Sequence, residues 1–197
     1  MCQFFESIKT KDGLIFRLKY HQLRVNKAFE IYYPTMQPIS LFDELNKLNI
    51  PQEGTYKCRI VYSETVQSVE ITPYIMREIK SLKLVETYLE SYKYKIEDRT
   101  VYKAAFEQRA GCDDVLLYKN GLLTDTSYSN IALFDGENWH TPQFPLLYGT
   151  NRAELIERGT IVEKDIRVSD LKKYQRIALF NAMIEFGELI LNTDKIR

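Results

Sequence analysis

The first third of the chain alternates between strand-like and helix-like patterns of hydrophobic residues. Two strand-like runs flank a Lys-Asp-Gly sequence at 11–13, and Asp-Gly between such runs predicts a hairpin. Hydrophobic residues at helical spacing predict a helix over about 17–32 and a short amphipathic helix over 40–50. Residues 54–63 and 68–75 are rich in β-branched and aromatic residues. This part of the chain is therefore predicted to form an α+β unit.

The second half of the chain has a different pattern, with more hairpins and fewer helices. A helix is predicted over about 100–110, and a second one over 149–159. Asn-Gly at 120–121 is the strongest hairpin signal in the chain, and Asp-Gly at 135–136 predicts another hairpin. An apolar run starting at Tyr174 predicts a late strand that leads into a turn. These elements indicate a β-rich unit with helices packed around it.

The change of pattern follows a charged segment at 76–90 that contains no Gly/Pro-rich linker. We therefore predict two domains, a small α+β domain at 1–80 and a larger β-rich domain at 81–197.

Composition narrows the functional classes. The 197 residues contain 27 Lys+Arg and 27 Asp+Glu, so the formal net charge is zero. The composition therefore does not indicate nucleic acid as the main partner, which would favour a basic stripe. No apolar run approaches the roughly 20 residues of a membrane helix, and the first residues lack the features of a signal peptide. The three cysteines, Cys2, Cys58 and Cys112, fit neither a disulfide framework nor a zinc site. We expect a cytoplasmic protein that binds no metal, nucleic acid or membrane.

Two lysines, Lys93 and Lys95, lie in a run that is predicted to be a strand. Alternation along a strand would place both side chains on the same face, where lysines usually meet water. A lysine that attacks a carbonyl must be neutral, and its pKa must be lowered by burial or nearby positive charge. Alternation alone does not select one of the two lysines.

Three other features could belong to an anion-binding site or could supply an acidic side chain to an active site. Each of them also has an ordinary structural explanation. Thr150 and Asn151 begin a predicted helix whose free amides could bind phosphate or form a simple N-cap. Asp125 follows the Asn-Gly hairpin and could equally cap loop amides. His21 and Arg24 lie one helical turn apart, and Arg24 could clamp an anion or face solvent.

The order of these features resembles the class IV aminotransferases, the pyridoxal-phosphate enzymes of fold type IV. "FFESIKTKDGLIFRLKYHQLR" resembles the family's Phe-Glu-Thr, Asp-Gly and His-x-x-Arg opening, and "LLTDTSYSNIALFDGENWHTP" resembles its acidic hairpin. "GTNRAELI" resembles Gly-Ile-Thr-Arg before a helix, although the Ile-Thr pair is missing, and "LFNAMIEF" resembles a late substrate-binding segment. The resemblance implies a two-domain fold, with a small sandwich-like N-terminal domain and a β-rich C-terminal pseudo-barrel.

The resemblance also implies roles for individual residues. "KIEDR" resembles Lys-x-x-Asn-Arg of the lyase branch, so Lys95, four residues before Arg99, matches the lysine that bonds covalently to pyridoxal 5′-phosphate. Asp125 falls where the family has a glutamate at the pyridine nitrogen, and it is one methylene shorter. The remaining matches are Arg24, Thr150 and Asn151 for the cofactor phosphate, Ser129 and Asn130 for the cofactor ring, and Asn181 and Ala182 for the substrate.

Three functions remain open on this basis. "FNAM" and the lysine-arginine spacing resemble 4-amino-4-deoxychorismate lyase, which releases pyruvate and forms 4-aminobenzoate for folate synthesis. "FFESIK" is closer to the aminotransferases, which act on branched-chain or D-amino acids with a 2-oxo acid. A non-catalytic homologue is the third possibility. Family members are homodimers, so the resemblance implies a homodimer that acts on a small-molecule substrate.

Overall fold

The computed structural model describes residues 3–88, 94–98 and 100–197. The predictions for Lys93 and Arg99 therefore lie outside the described residues. The described chain forms two compact units, one of residues 3–76 and 94–98 and one of residues 77–88 and 100–197. This division differs from the predicted boundary at residues 80 and 81, because the short segment that carries Lys95 belongs to the first unit.

The first unit is an antiparallel sheet with two helices. Its elements are β1 (Phe4–Lys11), β2 (Leu14–Ile15), α1 (Leu18–Tyr32), α2 (Leu41–Asn46), β3 (Thr55–Tyr62) and β4 (Val66–Pro73). The strand order is β2-β1-β3-β4. Asp12 and Gly13 both have positive φ, 49° and 78°, as the two-residue turn between β1 and β2 requires. The predicted hairpin and both helices are confirmed, although α2 is shorter than the pattern indicated.

The core of the first unit lies between its helices and the sheet. Phe4 of β1, Phe29 of α1 and Tyr62 of β3 are almost fully buried and pack against one another. Seven of the eight residues of β1 are buried, so both faces of this strand are covered. Because side chains alternate along a strand, Phe5 and Glu6 point to opposite faces of β1.

The second unit is mostly sheet. Its strands are β5 (Leu82–Glu86), β6 (Asp114–Lys119), β7 (Leu122–Thr126), β8 (Asn130–Phe134), β9 (Trp139–Pro142), β10 (Val162–Lys164), β11 (Arg176–Phe180) and β12 (Ile190–Asn192). Its helices are α3 (Thr100–Glu107) and α4 (Thr150–Glu157). The strands form the sheets β5-β6-β7 and β10-β9-β8-β11-β12. Both predicted hairpins are confirmed, and Asn120 and Gly121 have positive φ of 52° and 76°.

Two local predictions differ from the structure, and one segment for which no element was predicted forms a strand. Lys95 lies in an irregular segment rather than a strand, with only an isolated bridge between Ile96 and Phe4. Helix α3 ends at Glu107, and Ala110 and Gly111 then take positive φ, which turns the chain before it reaches β6. The charged segment at 76–90 contains a strand, β5, because pairing with β6 outweighs its weak local pattern. No helix of the described chain has the length and apolar character needed to cross a membrane.

Candidate active site

The first unit contains a buried cluster of charged residues. Glu6 of β1 is fully buried, and its carboxylate accepts hydrogen bonds from Arg24 Nε at 2.8 Å and from Arg24 Nη2. His21 Nδ1 also bonds to Glu6. Burial alone would raise the pKa of Glu6, but the Arg24 charge and the His21 hydrogen bond outweigh it and hold this pKa well below its usual range. Glu6 is therefore ionised and fixes the orientation of Arg24.

His21 is the neutral member of this cluster. Burial lowers the pKa of His21 below its ordinary value of 6.5, although the bond to Glu6 acts in the other direction. Because ionised Glu6 can only accept, the His21 proton is assigned to Nδ1. The sequence analysis assigned no role to Glu6. Its signal was present in the Phe-Glu motif, but the pairing with Arg24 joins residues 18 positions apart.

Lys95 lies beside the first half of β1. Its carbonyl oxygen accepts a hydrogen bond from the Phe5 amide at 2.8 Å, and its Nζ is 4.6 Å from the centre of the Phe5 ring. The Arg59 guanidinium lies 4.8 Å from the centre of the same ring. Lys95 is half-buried. The nearby Arg59 is itself paired with Glu97 at 2.9 Å, so its charge is compensated within the first unit.

Asp125 is a buried acid of the second unit. Only 4% of its surface is exposed. One carboxylate oxygen accepts from Asn130 Nδ2 at 2.8 Å, and the other accepts from the Leu147 amide at 2.9 Å. Burial raises the pKa of Asp125 to about 6, although both hydrogen bonds act to lower it. At neutral pH Asp125 is therefore mostly ionised and is ready to accept a hydrogen bond from a cationic N–H group.

Asn130 positions this carboxylate. Its Nδ2 donates both to Asp125 and to the Leu147 carbonyl oxygen at 2.8 Å, so both amide protons are used within the protein. Its Oδ1 lies so close to Gly149 that a Cβ added there would be 2.0 Å away. The backbone conformation at Gly149 is an ordinary extended one, so glycine is required at this position for space alone.

A second group of amides connects α4 to the segment after β11. Asn151 Nδ2 donates to the carbonyl oxygens of Asn181 and Ile184, at 2.9 and 3.0 Å. Asn181 Oδ1 accepts from the amides of Met183 and Ile184, and its Nδ2 donates to Ser129 Oγ at 3.0 Å. The Asn181 and Ser129 side chains are therefore bonded to each other, and the Asn151 side chain is bonded to the backbone of the Asn181–Ile184 segment. A contact from Asn151 to a phosphate would use its backbone amide rather than its side chain.

The start of α4 is buried, with Thr150, Asn151 and Arg152 each 3% exposed or less. The first amides of a helix have no intrahelical acceptor and favour an anion. Arg152, by contrast, donates through Nη2 to the Pro142 carbonyl oxygen and to Glu163, both at 2.7 Å. Its positive charge is compensated by Glu163. We therefore assign Arg152 to holding the start of helix α4 in place.

Each unit by itself contributes part of what pyridoxal phosphate requires. The first has a half-buried lysine and a buried arginine. The second has a buried carboxylate, a glycine that permits close approach of the backbone, and a buried helix start. These residue types suit an aldehyde, a pyridine nitrogen and a dianionic phosphate.

Comparisons with known proteins agree with the motif order. The model of the family described as amino-transferase class IV matches residues 3–188. The chain is 32% identical to a candidate 4-amino-4-deoxychorismate lyase from Haemophilus somnus, a crystal structure with a TM-score of 0.88 that covers 94% of this chain and 98% of that one. It is 30% identical, over 93% of its length and 98% of the relative, to an uncharacterized protein of Haemophilus influenzae. A candidate aminodeoxychorismate lyase from Schizosaccharomyces pombe is 29% identical, over 93% and 88% of the two chains.

The mixed α+β architecture, mostly sheet with few helices, is that of fold type IV, as the motifs implied. The family match spans nearly the whole chain, and the chain therefore belongs to the amino-transferase class IV family, whose members are pyridoxal-phosphate-dependent enzymes.

Proposed function

We propose that this enzyme is a 4-amino-4-deoxychorismate lyase, which releases pyruvate from its substrate and forms 4-aminobenzoate for folate synthesis. The observation that carries the proposal is the similarity, along almost the full length of both chains, to the Haemophilus somnus protein described by that activity. The Schizosaccharomyces pombe relative supports the same activity. Arg24, Asp125 and Lys95 occupy the motif positions that the reaction requires.

Lys95 is the proposed catalytic residue. When bound, pyridoxal phosphate supplies an electron-withdrawing ring in conjugation with the substrate amino group. Lys95 would hold the cofactor covalently, and its free amine would then move the proton at the substrate Cα. Its match to the lysine of the family's motif supports this role, as does its half-buried position beside β1.

Asp125 would hold the proton on the pyridine nitrogen of the cofactor. Its carboxylate is fixed by Asn130 and by the backbone amides of Leu146 and Leu147. Because Asp is one methylene shorter than Glu, either the cofactor ring would lie closer to β7 or a water molecule would bridge the two groups.

The phosphate would be held by Arg24 and by the first amides of α4 at Thr150 and Asn151. Glu6 supports this role of Arg24 because it fixes the guanidinium in one orientation. The substrate carboxylate would meet the segment of Asn181 and Ala182, and Ser129 would act by holding the Asn181 side chain.

The experiment that tests the lysine compares Lys95→Ala with Lys93→Ala. Purified wild type should carry pyridoxal phosphate, seen as visible absorbance, and borohydride reduction should fix the cofactor on the peptide that contains Lys95. Lys95→Ala should lose both signals and Lys93→Ala should keep them. The reverse result would reject Lys95 as the cofactor lysine.

The reaction is tested by supplying aminodeoxychorismate, which an aminodeoxychorismate synthase generates in the assay from chorismate and glutamine. Wild type should form 4-aminobenzoate and pyruvate in equal amounts, and Lys95→Ala should form neither. A panel of amino acids with 2-oxoglutarate is the comparison. Turnover of the panel without 4-aminobenzoate would reject the lyase proposal.

An aminotransferase activity is the second candidate. The specific observation in its favour is the Phe-Glu opening, which is closer to the motif of the aminotransferases than to that of the lyases. Glu6 of this opening pairs with Arg24. The amino-acid panel decides between the two candidates.

We also propose that the enzyme is a cytoplasmic homodimer. Family resemblance supports the dimer, and two free, buried cysteines, Cys58 and Cys112, are compatible with a reducing compartment. Light scattering at several protein concentrations would give the mass in solution, and a monomer at all of them would reject the dimer.

A further inference from the structure

The second unit contains a cavity of about 290 Å³ that none of the roles above uses. It lies between the segment before β5, helix α3 and the connection between β7 and β8. Its lining consists of Arg77, Tyr102, Lys103, Phe106, Ser127 and Tyr128. Half of these residues are aromatic and two are cationic, which is an unusual combination for a surface depression.

Arg77 is held in place by rings and by acceptors. Its guanidinium lies 5.2 Å from the centre of the Phe106 ring and 5.1 Å from that of Tyr128, which are cation–π distances. Arg77 Nη2 donates to the Asp113 carbonyl oxygen at 3.1 Å and lies 3.4 Å from Asp114 Oδ2. A guanidinium fixed in this way loses little freedom when it binds a ligand.

The charges around the cavity leave one positive charge uncompensated. Asp114 offsets Arg77, but only through a long contact, and Asp114 Oδ2 makes no hydrogen bond within the described residues. Lys103 is exposed and has neither a hydrogen bond nor an ion pair with any residue in the part of the chain that the structure describes. Two cations against one carboxylate suit a ligand with a single negative charge.

We propose that this cavity binds a single-ring aromatic monocarboxylate. Tyr102, Phe106 and Tyr128 provide ring surfaces for stacking or edge contacts. Arg77 and Lys103 provide charge-assisted hydrogen bonds for a carboxylate. The volume lies at the lower end of small-molecule pockets, which limits the ligand to about one ring. The proposal does not depend on the lyase activity, although 4-aminobenzoate belongs to this ligand class.

Calorimetric titration of the full-length protein, with its cofactor content as purified, tests the proposal with benzoate as the probe. Benzoate should bind with one site per chain. Benzyl alcohol lacks the carboxylate and should bind at least about tenfold more weakly, the factor that one lost charge-assisted contact produces. Acetate keeps the carboxylate but lacks the ring, and it should also bind at least about tenfold more weakly because it loses the contacts with the three aromatic side chains.

Variants locate the bound benzoate. Arg77→Gln should raise the dissociation constant at least about tenfold, and Lys103→Gln should raise it about threefold because Lys103, unlike Arg77, is not held in place by rings and acceptors. Lys103→Glu should weaken binding further, and its exposed position makes it a variant that folds even if Arg77→Gln does not. Lys172→Gln, at another exposed lysine of the second unit, is the control and should bind as wild type does.

Three results would overturn the proposal. The first is no saturable benzoate binding to wild type, and the second is equal affinity in wild type and Lys103→Glu. The third is loss of benzoate binding in Lys95→Ala while Arg77→Gln and Lys103→Glu keep it, which would assign the ligand to Lys95. Failure of the lyase assay would leave the titration unchanged, so the two proposals fail independently.

Discussion

The burial of Asp125 should make the stability of the second unit depend on pH. The pKa of Asp125 rises from its ordinary 3.8 to about 6, mainly because the carboxylate is buried. One pKa unit corresponds to about 1.4 kcal/mol, so ionised Asp125 should cost about 3 kcal/mol of folding free energy. Well below pH 3.8 the carboxyl is protonated in both states and the cost is absent. It grows as the unfolded chain ionises and is complete above about pH 6.

Asp125→Asn isolates this contribution. The variant replaces an acceptor with a donor and loses a hydrogen bond, but that loss does not change with pH. Urea unfolding followed by the fluorescence of Trp139, the single tryptophan of the chain, reports on the second unit. The free energy of unfolding of wild type minus that of the variant should fall by about 2.5 kcal/mol between pH 4 and pH 7, measured without cofactor.

Asp165→Asn is the matched control, because Asp165 is an exposed aspartate of the same unit. Its difference from wild type should stay constant over the same pH range. A difference for Asp125→Asn that is constant, or that rises with pH, would refute the inference that burial raises the pKa of Asp125.

Three further substitutions test the supporting contacts. Gly149→Ala should lower the free energy of unfolding by about 1–3 kcal/mol, because the added Cβ meets Asn130, and Asn130→Ala in the same chain should relieve part of the loss. Glu6→Gln should cost about 3 kcal/mol or more and weaken cofactor binding, because it leaves Arg24 buried without its carboxylate. Asn151→Ala removes two buried hydrogen bonds and should cost about 1–3 kcal/mol. Urea unfolding measures all three stabilities, and fluorescence titration measures cofactor affinity.

Each of these expectations has a contrary outcome. Additive effects of Gly149→Ala and Asn130→Ala would mean that the two positions do not clash. A loss below about 1 kcal/mol in Glu6→Gln would mean that solvent reaches Arg24. For Asn151→Ala, wild-type stability would mean that water replaces its two hydrogen bonds.

Local sequence determined the elements whose geometry is decided within a few residues. Asp12-Gly13 and Asn120-Gly121 adopt positive φ at low cost, so both hairpins could be predicted from the sequence alone. The order of motifs also placed the chain in its family and selected Lys95 and Asp125 as candidates. The irregular segment of Lys95 was mispredicted as a strand, because its pairing with β1 depends on residues about 90 positions earlier.

The tertiary structure decided how the candidate side chains are used. Glu6 and Arg24 are 18 positions apart, and Asp125 meets Leu147 22 positions later, so neither contact leaves a local pattern. The raised pKa of Asp125 likewise arises from its burial, and sequence carries no direct record of burial at a polar position. Sequence therefore determined the hairpin turns and the order of the family motifs along the chain. Long-range packing determined their charge, orientation and partners.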